Sequence, residues 1–146
     1  MTEHKILEDK ISASTVERIL AVAGIAAIGA GAFIVAYFNP TTAGFFPVCP
    51  LYYLTGIHCP GCGLTRGFHA LFHGDVLTAL HFNALLPAYT LVFGFMFVSM
   101  ILVAVRGRGL SWRIVPPSAM YGFLILAAVF FVLRNLPFYP FTLLAP

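Results

Sequence analysis

The sequence predicts an all-α integral membrane protein. It is expected to have three transmembrane helices, plus a short interfacial or re-entrant helix that follows a cysteine-rich extracytoplasmic loop. Of its 146 residues, 60% are hydrophobic and 9% are charged, against roughly 25% charged residues in a typical soluble domain. Three apolar segments approach the ~20 residues that a membrane crossing requires. All three cysteines lie in one stretch between the first two segments.

The spans have sequence signals at their ends. The first is predicted at residues 15–38, where Ser14 and Glu17 form a capping box. The second is predicted at 82–105, with Pro87 at a kink or in the first turn, and the third at 118–133. The single membrane domain, residues 1–146, also contains a cytoplasmic N-terminal segment, the Cys/His loop, a cytoplasmic turn and an extracytoplasmic tail (residues 1–14, 39–81, 106–117 and 134–146).

Basic residues predict the orientation in the membrane. Six of the eight Lys and Arg precede the first span, lie in its first turn or separate the second span from the third: Lys5, Lys10, Arg18, Arg106, Arg108 and Arg113. Because cytoplasmic segments carry the excess positive charge, we expect the N-terminus in the cytoplasm, with the cysteine loop and C-terminus outside it. Charges spread over helix ends indicate topology and argue against a nucleic-acid surface.

Small residues recur every four positions in the first span, at Ala23, Ala27 and Gly31. Without side-chain bulk, a second helix approaches the backbone closely, and close approach drives helix packing in lipid. The face therefore packs either on the protein's own helices or on another membrane protein.

Residues 64–73 predict a short amphipathic helix in the interface or re-entering it. Leu64, Phe68 and Leu71 form its apolar side. Cys62, Arg66, His69 and His73 fall on the opposite side, at i, i+4, i+7 and i+11. This polar side is either the solvated face of an interfacial helix or part of a metal site.

Three chemical roles are open to the cysteines Cys49, Cys59 and Cys62. One disulfide from Cys49 to Cys59 or Cys62 staples the loop and leaves a buried thiol, as an oxidising compartment allows. Cys59 and Cys62 instead form a redox C-x-x-C pair at a helix start. In the third role the cysteines bind zinc, with His58, His69 and His73 as the alternative ligands. A haem has no attachment signature, because Gly63 stands where C-x-x-C-H requires histidine.

Two arginines outside the cytoplasmic segments need acceptors, since a bare charge near lipid is costly. Asp75 is the only acidic residue after Glu17. We therefore expect Arg66, Asp75 and Arg134 to form a polar knot that ties the loop to the third span.

The segment CPGCGLTR, from Cys59 to Arg66, resembles the signature of a family of small bacterial membrane proteins of unknown function. The resemblance extends to Cys49-Pro50, Thr55-Gly56, the HALFHGD segment at 69–75, Asn83, and RNLP at 134–137. Many members have proline after the asparagine, whereas Ala84 follows Asn83 here. The family implies a multi-span protein of the bacterial cytoplasmic membrane and supplies no activity.

These features favour a non-catalytic accessory subunit of a larger membrane complex, with the stapled cysteine loop as its extracytoplasmic docking element. No paired carboxylates or nucleophile–base set supports an enzyme. The first alternative is a membrane protein that binds a metal or cofactor, zinc or haem, through the Cys/His loop; the second is a thiol–disulfide redox protein. If the protein is an accessory subunit, we expect it to bind no cofactor. The expected partners are the bilayer and other membrane subunits, not nucleic acid.

Overall fold

A computed structural model describes residues 13–111 and 114–145. Within these ranges the chain is helical and contains no β-strand, which confirms the all-α class. The helices are α1 (Thr15–Tyr37), α2 (Pro50–Thr55), α3 (Leu64–Phe72), α4 (Val76–Phe82), α5 (Leu86–Arg106), α6 (Pro117–Leu133) and a 3₁₀-helix (Phe141–Leu144). Most of the predicted N-terminal segment, including Lys5 and Lys10, lies outside the described residues, as does Arg113 in the predicted turn.

Two of these helices, α1 and α5, are long and apolar enough to cross a membrane. They have 23 and 21 residues, and mean hydropathies of 2.5 and 2.3 in their most apolar windows. Only 6% and 0% of those windows are buried, so both helices expose apolar side chains as lipid-facing helices do. These two helices indicate membrane association.

The predicted third span coincides with α6, which has 17 residues. At 1.5 Å per residue it is about 25 Å long, somewhat less than the ~30 Å hydrocarbon core. The third crossing therefore stays a prediction.

The expected loop at 39–81 holds more helix than predicted. Helix α3 confirms the expected helix to within one residue, but α2 and α4 flank it. Pro50 is the first residue of α2, a position at which a proline loses no hydrogen bond. The second span was expected from residue 82. Phe82 instead ends α4, and α5 begins at Leu86 with Pro87 in its first turn.

One compact unit comprises the described parts of residues 1–31 and 91–114. The predicted capping box is confirmed at the start of α1. The Ser14 backbone N–H donates to Glu17 Oε2 at 2.7 Å, and the Glu17 N–H donates to Ser14 Oγ at 3.3 Å. In this unit α1 approaches α5 at Gly24, where an added Cβ would lie 3.1 Å from Met100 Sδ.

The small-residue face of α1 does not make that contact. Ala23, Ala27 and Gly31 are exposed, and no heavy atom would lie within 4 Å of a Cβ added at Gly31, chain neighbours and the helix's own nearby backbone aside. One expectation was that this face packs on the protein's own helices. Within the described part of the chain, the face has no such partner.

The second compact unit comprises residues 32–90 and the described part of 115–146. Its core contains Ala70, Ala79 and Leu86, against which the predicted apolar face of α3, formed by Leu64, Phe68 and Leu71, is packed. This face is thus covered by α4 and the start of α5. Asp75 caps α4 by accepting the Thr78 N–H at 3.0 Å, and its hydrogen bonds to Thr78 lower the pKa of this carboxyl.

Gly67 is the contact point between α3 and its neighbours. An added Cβ would lie 2.5 Å from Leu86 Cδ1 and 3.1 Å from the Ala79 carbonyl oxygen. We predict that Gly67→Ala lowers the free energy of unfolding by about 1 kcal/mol, because overpacking of roughly 1–3 kcal/mol exceeds the roughly 1 kcal/mol gained in helix propensity. Thermal unfolding in detergent measures the change.

Gly94→Ala in α5 is the matched control, because no atom would lie within 4 Å of its added Cβ. This control is expected to be neutral or slightly stabilising. Equal effects of the two substitutions would contradict the close packing of α3.

Candidate functional site

The three cysteines, 13 residues apart at their extremes, come together in the second unit. Cys59 Sγ lies 3.3 Å from Cys49 Sγ and 3.3 Å from Cys62 Sγ, and all three sulfur atoms lie within 4.8 Å of one another. All three are free thiols. Cys62 is buried and the others are half-buried. The expected disulfide is therefore not formed in this structure, although Cys59 contacts both of its expected partners.

Short local structures hold these sulfur atoms in place. Cys49 is the N-cap of α2 and has extended backbone angles, φ −60° and ψ 118°. Cys59 and Cys62 bracket a tight turn, in which the Cys62 N–H donates to the Cys59 carbonyl at 3.0 Å. Gly63 follows with φ +80°, a left-handed conformation that favours glycine and lets α3 begin directly after the turn.

The environment shifts the pKa values of two of the thiols in opposite directions. The backbone N–H of Tyr52, followed by the Cys59 side chain, lowers the pKa of Cys49 to about 7. Burial, followed by hydrogen bonds with Cys59 and Cys49, raises the pKa of Cys62 to about 12. Cys49 is thus the more acidic of these two thiols and Cys62 the less acidic.

The Asn83 side chain holds the Cys59–Cys62 turn in place through hydrogen bonds. The side chain is fully buried, and its Nδ2 donates to the carbonyls of Pro60 at 2.8 Å and Cys62 at 3.1 Å. Its Oδ1 accepts the Leu85 N–H at 2.9 Å. The asparagine between α4 and α5 therefore uses both ends of its amide to join that break to the cysteine turn.

Asn135, just after α6, holds the residue before the turn. Its Oδ1 accepts the His58 N–H at 2.8 Å, and its Nδ2 donates to the His58 carbonyl at 2.9 Å. The same Nδ2 also donates to the Phe131 carbonyl at 2.7 Å. The end of α6 is thereby paired with the loop backbone.

Arg134 contacts the backbone of the Cys59–Cys62 turn, and its side chain is 1% exposed. Its Nη1 donates to the carbonyls of Cys59 at 2.9 Å and Cys62 at 3.2 Å, and its guanidinium carbon lies 4.8 Å from the Phe130 ring centroid. Its Nε and Nη2 atoms are buried and have no hydrogen-bond partner among the described residues. The site therefore contains a buried positive charge whose only described acceptors are carbonyl oxygens.

The expected polar knot is not formed as predicted. Arg134 does tie the loop to α6, but through carbonyls, and Asp75 is used as the α4 cap. Arg66 lies with its guanidinium carbon 5.7 Å from the Phe82 ring centroid. Among the described residues no ion pair joins Asp75 to either arginine, because the carboxylate satisfies the N-terminus of its own helix first.

A cavity of about 300 Å³ opens beside the cysteines. Cys49 and Cys62 line it together with His58, Thr65 and Arg66. The His58 ring packs against Tyr52 at an interplanar angle of 35°, with centroids 4.5 Å apart, and is not part of the three-sulfur cluster. Burial, and then the charges of Arg134 and Arg66, lower the pKa of His58.

The other expected histidine ligands lie apart from the sulfur atoms. His69 Nδ1 donates to the Val35 carbonyl at 2.7 Å, and His73 Nδ1 donates to the His69 carbonyl at 2.9 Å. Both line a different cavity, with Asp75 and Thr78. The structure thus brings together the three cysteines of the predicted site but not these histidines.

Sequence reasoning did not assign Asn83 and Asn135 to the site. Both were noted only within stretches that resemble a family. The available signal is their position: each asparagine lies within two residues of the end of a helix, where an amide is free to bond another segment's backbone.

One protein family matches part of the chain. The family described as "Protein of unknown function (DUF2752)" matches residues 49–97. The matched stretch contains the three cysteines and Asn83, whereas Arg134 and Asn135 lie beyond it. This agrees with the expected resemblance to a family of unknown function over that stretch. No curated protein and no solved structure matches the chain.

The Asn83 bonds predict a specific mutational effect. Asn83→Asp keeps the acceptor for Leu85 but replaces the two donated bonds by a charge facing carbonyl oxygens. Because buried unpaired groups cost about 1–3 kcal/mol each, we expect a loss of at least about 2 kcal/mol in the free energy of unfolding. We also expect faster maleimide labelling of the buried Cys62.

Asn39→Asp is the matched control. The exposed Asn39 uses Oδ1 to accept from the Thr41 N–H and hydroxyl, and an aspartate supplies the same acceptor. If both variants unfold at the same temperature and label at the same rate, Asn83 does not hold the turn.

Proposed function

We propose that this protein is a small bacterial membrane protein whose Cys49, Cys59 and Cys62 form a metal-binding centre, with zinc as the ion. The proposal is carried by one observation: three cysteine sulfur atoms, remote by up to 13 positions, lie within 4.8 Å of one another. Thiolates are preferred ligands of zinc, and three of them with a fourth ligand make a tetrahedral site.

The sulfur positions are close to those that a metal requires. With Zn–S bonds of about 2.3 Å, tetrahedral geometry places sulfur atoms roughly 3.8 Å apart. Cys59 lies 3.3 Å from each neighbour, so these two pairs have to separate by about half an ångström to admit the ion. The third pair, Cys49 and Cys62, lies within 4.8 Å. Three protein ligands leave a fourth position for a small molecule, as in zinc sites that exchange ligands.

The charge of Arg134 supports an anionic centre above it. A buried charge without compensation costs several kcal/mol, and Arg134 has no described carboxylate partner. Three neutral thiols, or a disulfide with one thiol, supply no negative charge. Zinc bound by three thiolates carries a net charge of −1, which compensates the guanidinium beneath the Cys59–Cys62 turn.

The placement of the centre follows from the proposed topology. We place α1, α5 and α6 across the cytoplasmic membrane, with the N-terminus and the Arg106–Arg108 turn in the cytoplasm. The cysteine loop and C-terminal tail then share the outer face. Support for the short α6 as a span comes from its uninterrupted apolar sequence and from tilt and local bilayer thinning, which accommodate such lengths.

Metal analysis tests the proposal. We predict one zinc per chain in protein purified from its native membrane in a mild detergent, measured by plasma mass spectrometry. Cys59→Ser is expected to lose the metal, because Cys59 contacts both other sulfur atoms. His73→Asn is the control and is expected to retain it, since His73 lines a different cavity.

The opposite results are equally specific. Metal loss in His73→Asn with retention in Cys59→Ser would place the ion on histidines. A metal-free protein with an intact mass 2 Da below that of the reduced chain, which marks one disulfide, would replace the metal centre by a stapled or redox-active loop.

Membership in a larger complex is a second candidate function, favoured by the exposed Ala23, Ala27 and Gly31 face. Gly31→Leu is expected to shift the protein to a smaller species on native gels of solubilised membranes, because bulk prevents close helix approach. Gly29→Leu is the matched control on another face of α1, with equally open space around it. An unchanged species in both variants would argue against docking through this face.

A further inference from the structure

We propose that the cavity beside the cysteines binds a small oxyanion, a phosphate or carboxylate group, between the metal ion and Arg66. This inference rests on the proposed metal centre and names the ligand of its fourth position. The oxyanion is either a free anion or the headgroup of a lipid, since both present the same chemistry.

The proposed metal ligands and Arg66 line the same cavity. It measures about 300 Å³, which accommodates a phosphate group. Two of the three proposed metal ligands, Cys49 and Cys62, line it. Arg66 lines it as well, with the Thr65 side chain as a neighbouring hydroxyl donor. A ligand in this space reaches both the metal ligands and a cation.

No residue that lines this cavity is acidic. Arg66 contacts the Phe82 ring and, besides this cavity, lines the second cavity together with Asp75, but it forms no ion pair within the described part of the chain. The two described carboxylates serve elsewhere: Glu17 caps α1 and Asp75 caps α4. The Arg66 guanidinium therefore retains donors for an anion from outside the protein.

Charge counting gives the expected sign of the ligand. The zinc–thiolate centre carries −1 and the buried Arg134 carries +1, so these two compensate each other. Arg66 then leaves the site with one uncompensated positive charge. A monoanionic group neutralises it, whereas a cationic or neutral ligand does not.

The donor chemistry selects an oxyanion among anions. Zinc accepts oxygen ligands at its open position, and the planar arginine fork matches the paired oxygens of carboxylate and phosphate. One oxygen binds the metal while the others accept from Arg66. Apolar residues that also line the cavity, Phe46, Pro47 and Val48, suit the glycerol end of a lipid.

The test uses full-length protein in which Co²⁺ replaces zinc, held in an uncharged maltoside detergent and an amine buffer without oxyanions. The visible absorption of Co²⁺ reports its ligands. Inorganic phosphate is titrated in one arm and phosphatidic acid in mixed micelles in the other. We expect a saturable spectral change with phosphate, phosphatidic acid or both; a response to the lipid alone identifies the headgroup as the source.

Arg66→Gln is expected to weaken this binding roughly 10- to 100-fold, as loss of a charge-assisted pair does. Arg66→Lys keeps the charge without the fork and is expected to fall between, which preserves the test if the glutamine variant does not fold. Arg108→Gln, at an exposed arginine in the other unit, is the matched control and is expected to bind as the parent does.

The outcomes separate this inference from the proposed function. An intact cobalt–thiolate spectrum that neither phosphate nor phosphatidic acid changes would overturn the oxyanion site and leave the metal centre standing. A spectral change of equal affinity in Arg66→Gln and the parent would overturn the role of Arg66. If Co²⁺ gives no thiolate charge-transfer band, the metal centre fails and the oxyanion site fails with it.

Discussion

The burial of Arg134 constrains the whole second unit. An arginine is charged at all physiological pH values, and this one is 1% exposed at the end of an apolar helix. Its Nη1 joins the carbonyls of Cys59 and Cys62, which fixes the cysteine turn on α6. Because carbonyl dipoles compensate a charge only in part, the arrangement favours a negative charge in the space above the turn. Cys59 and Cys62 belong to that turn, and Cys49 Sγ lies beside Cys59 Sγ.

Two asparagines make the turn rigid enough for this arrangement to matter. Asn83 satisfies Pro60 and Cys62 from the α4–α5 break, and Asn135 pairs with the His58 backbone from the end of α6. Both side chains bond backbone atoms and leave the sulfur atoms free. Backbone restraint of this kind holds ligands in place before an ion binds, which lowers the conformational entropy lost on binding.

The parts of the structure set by local chemistry were predictable from the sequence. The Ser14–Glu17 box and the apolar face of α3 each depend on residues a few positions apart, and each is confirmed. Helix α2 was not predicted, although a proline such as Pro50 is well tolerated in a first helical turn. The start of α5 was misplaced because residues 76–105 are apolar almost throughout, and only the polar Asn83 marks the break.

The site itself was predictable only in its residue types. Three cysteines in fourteen positions pointed to thiol or metal chemistry, but their number allowed several readings. The partners of Arg134 were not predictable, because a carbonyl acceptor leaves no mark in the sequence, whereas Asp75 offered an obvious but unused charge. The contacts that hold the turn, from Asn83 and Asn135, join residues more than 20 positions apart. No local pattern encodes such pairs.

X-ray absorption at the zinc edge of the purified protein tests the central claim most directly, because it counts the sulfur atoms bonded to the ion. A centre built from Cys49, Cys59 and Cys62 predicts about three sulfur scatterers at ~2.3 Å and one oxygen or nitrogen at ~2.0 Å. A first shell of oxygen and nitrogen alone, in the spectrum of a stoichiometric zinc protein, would contradict it.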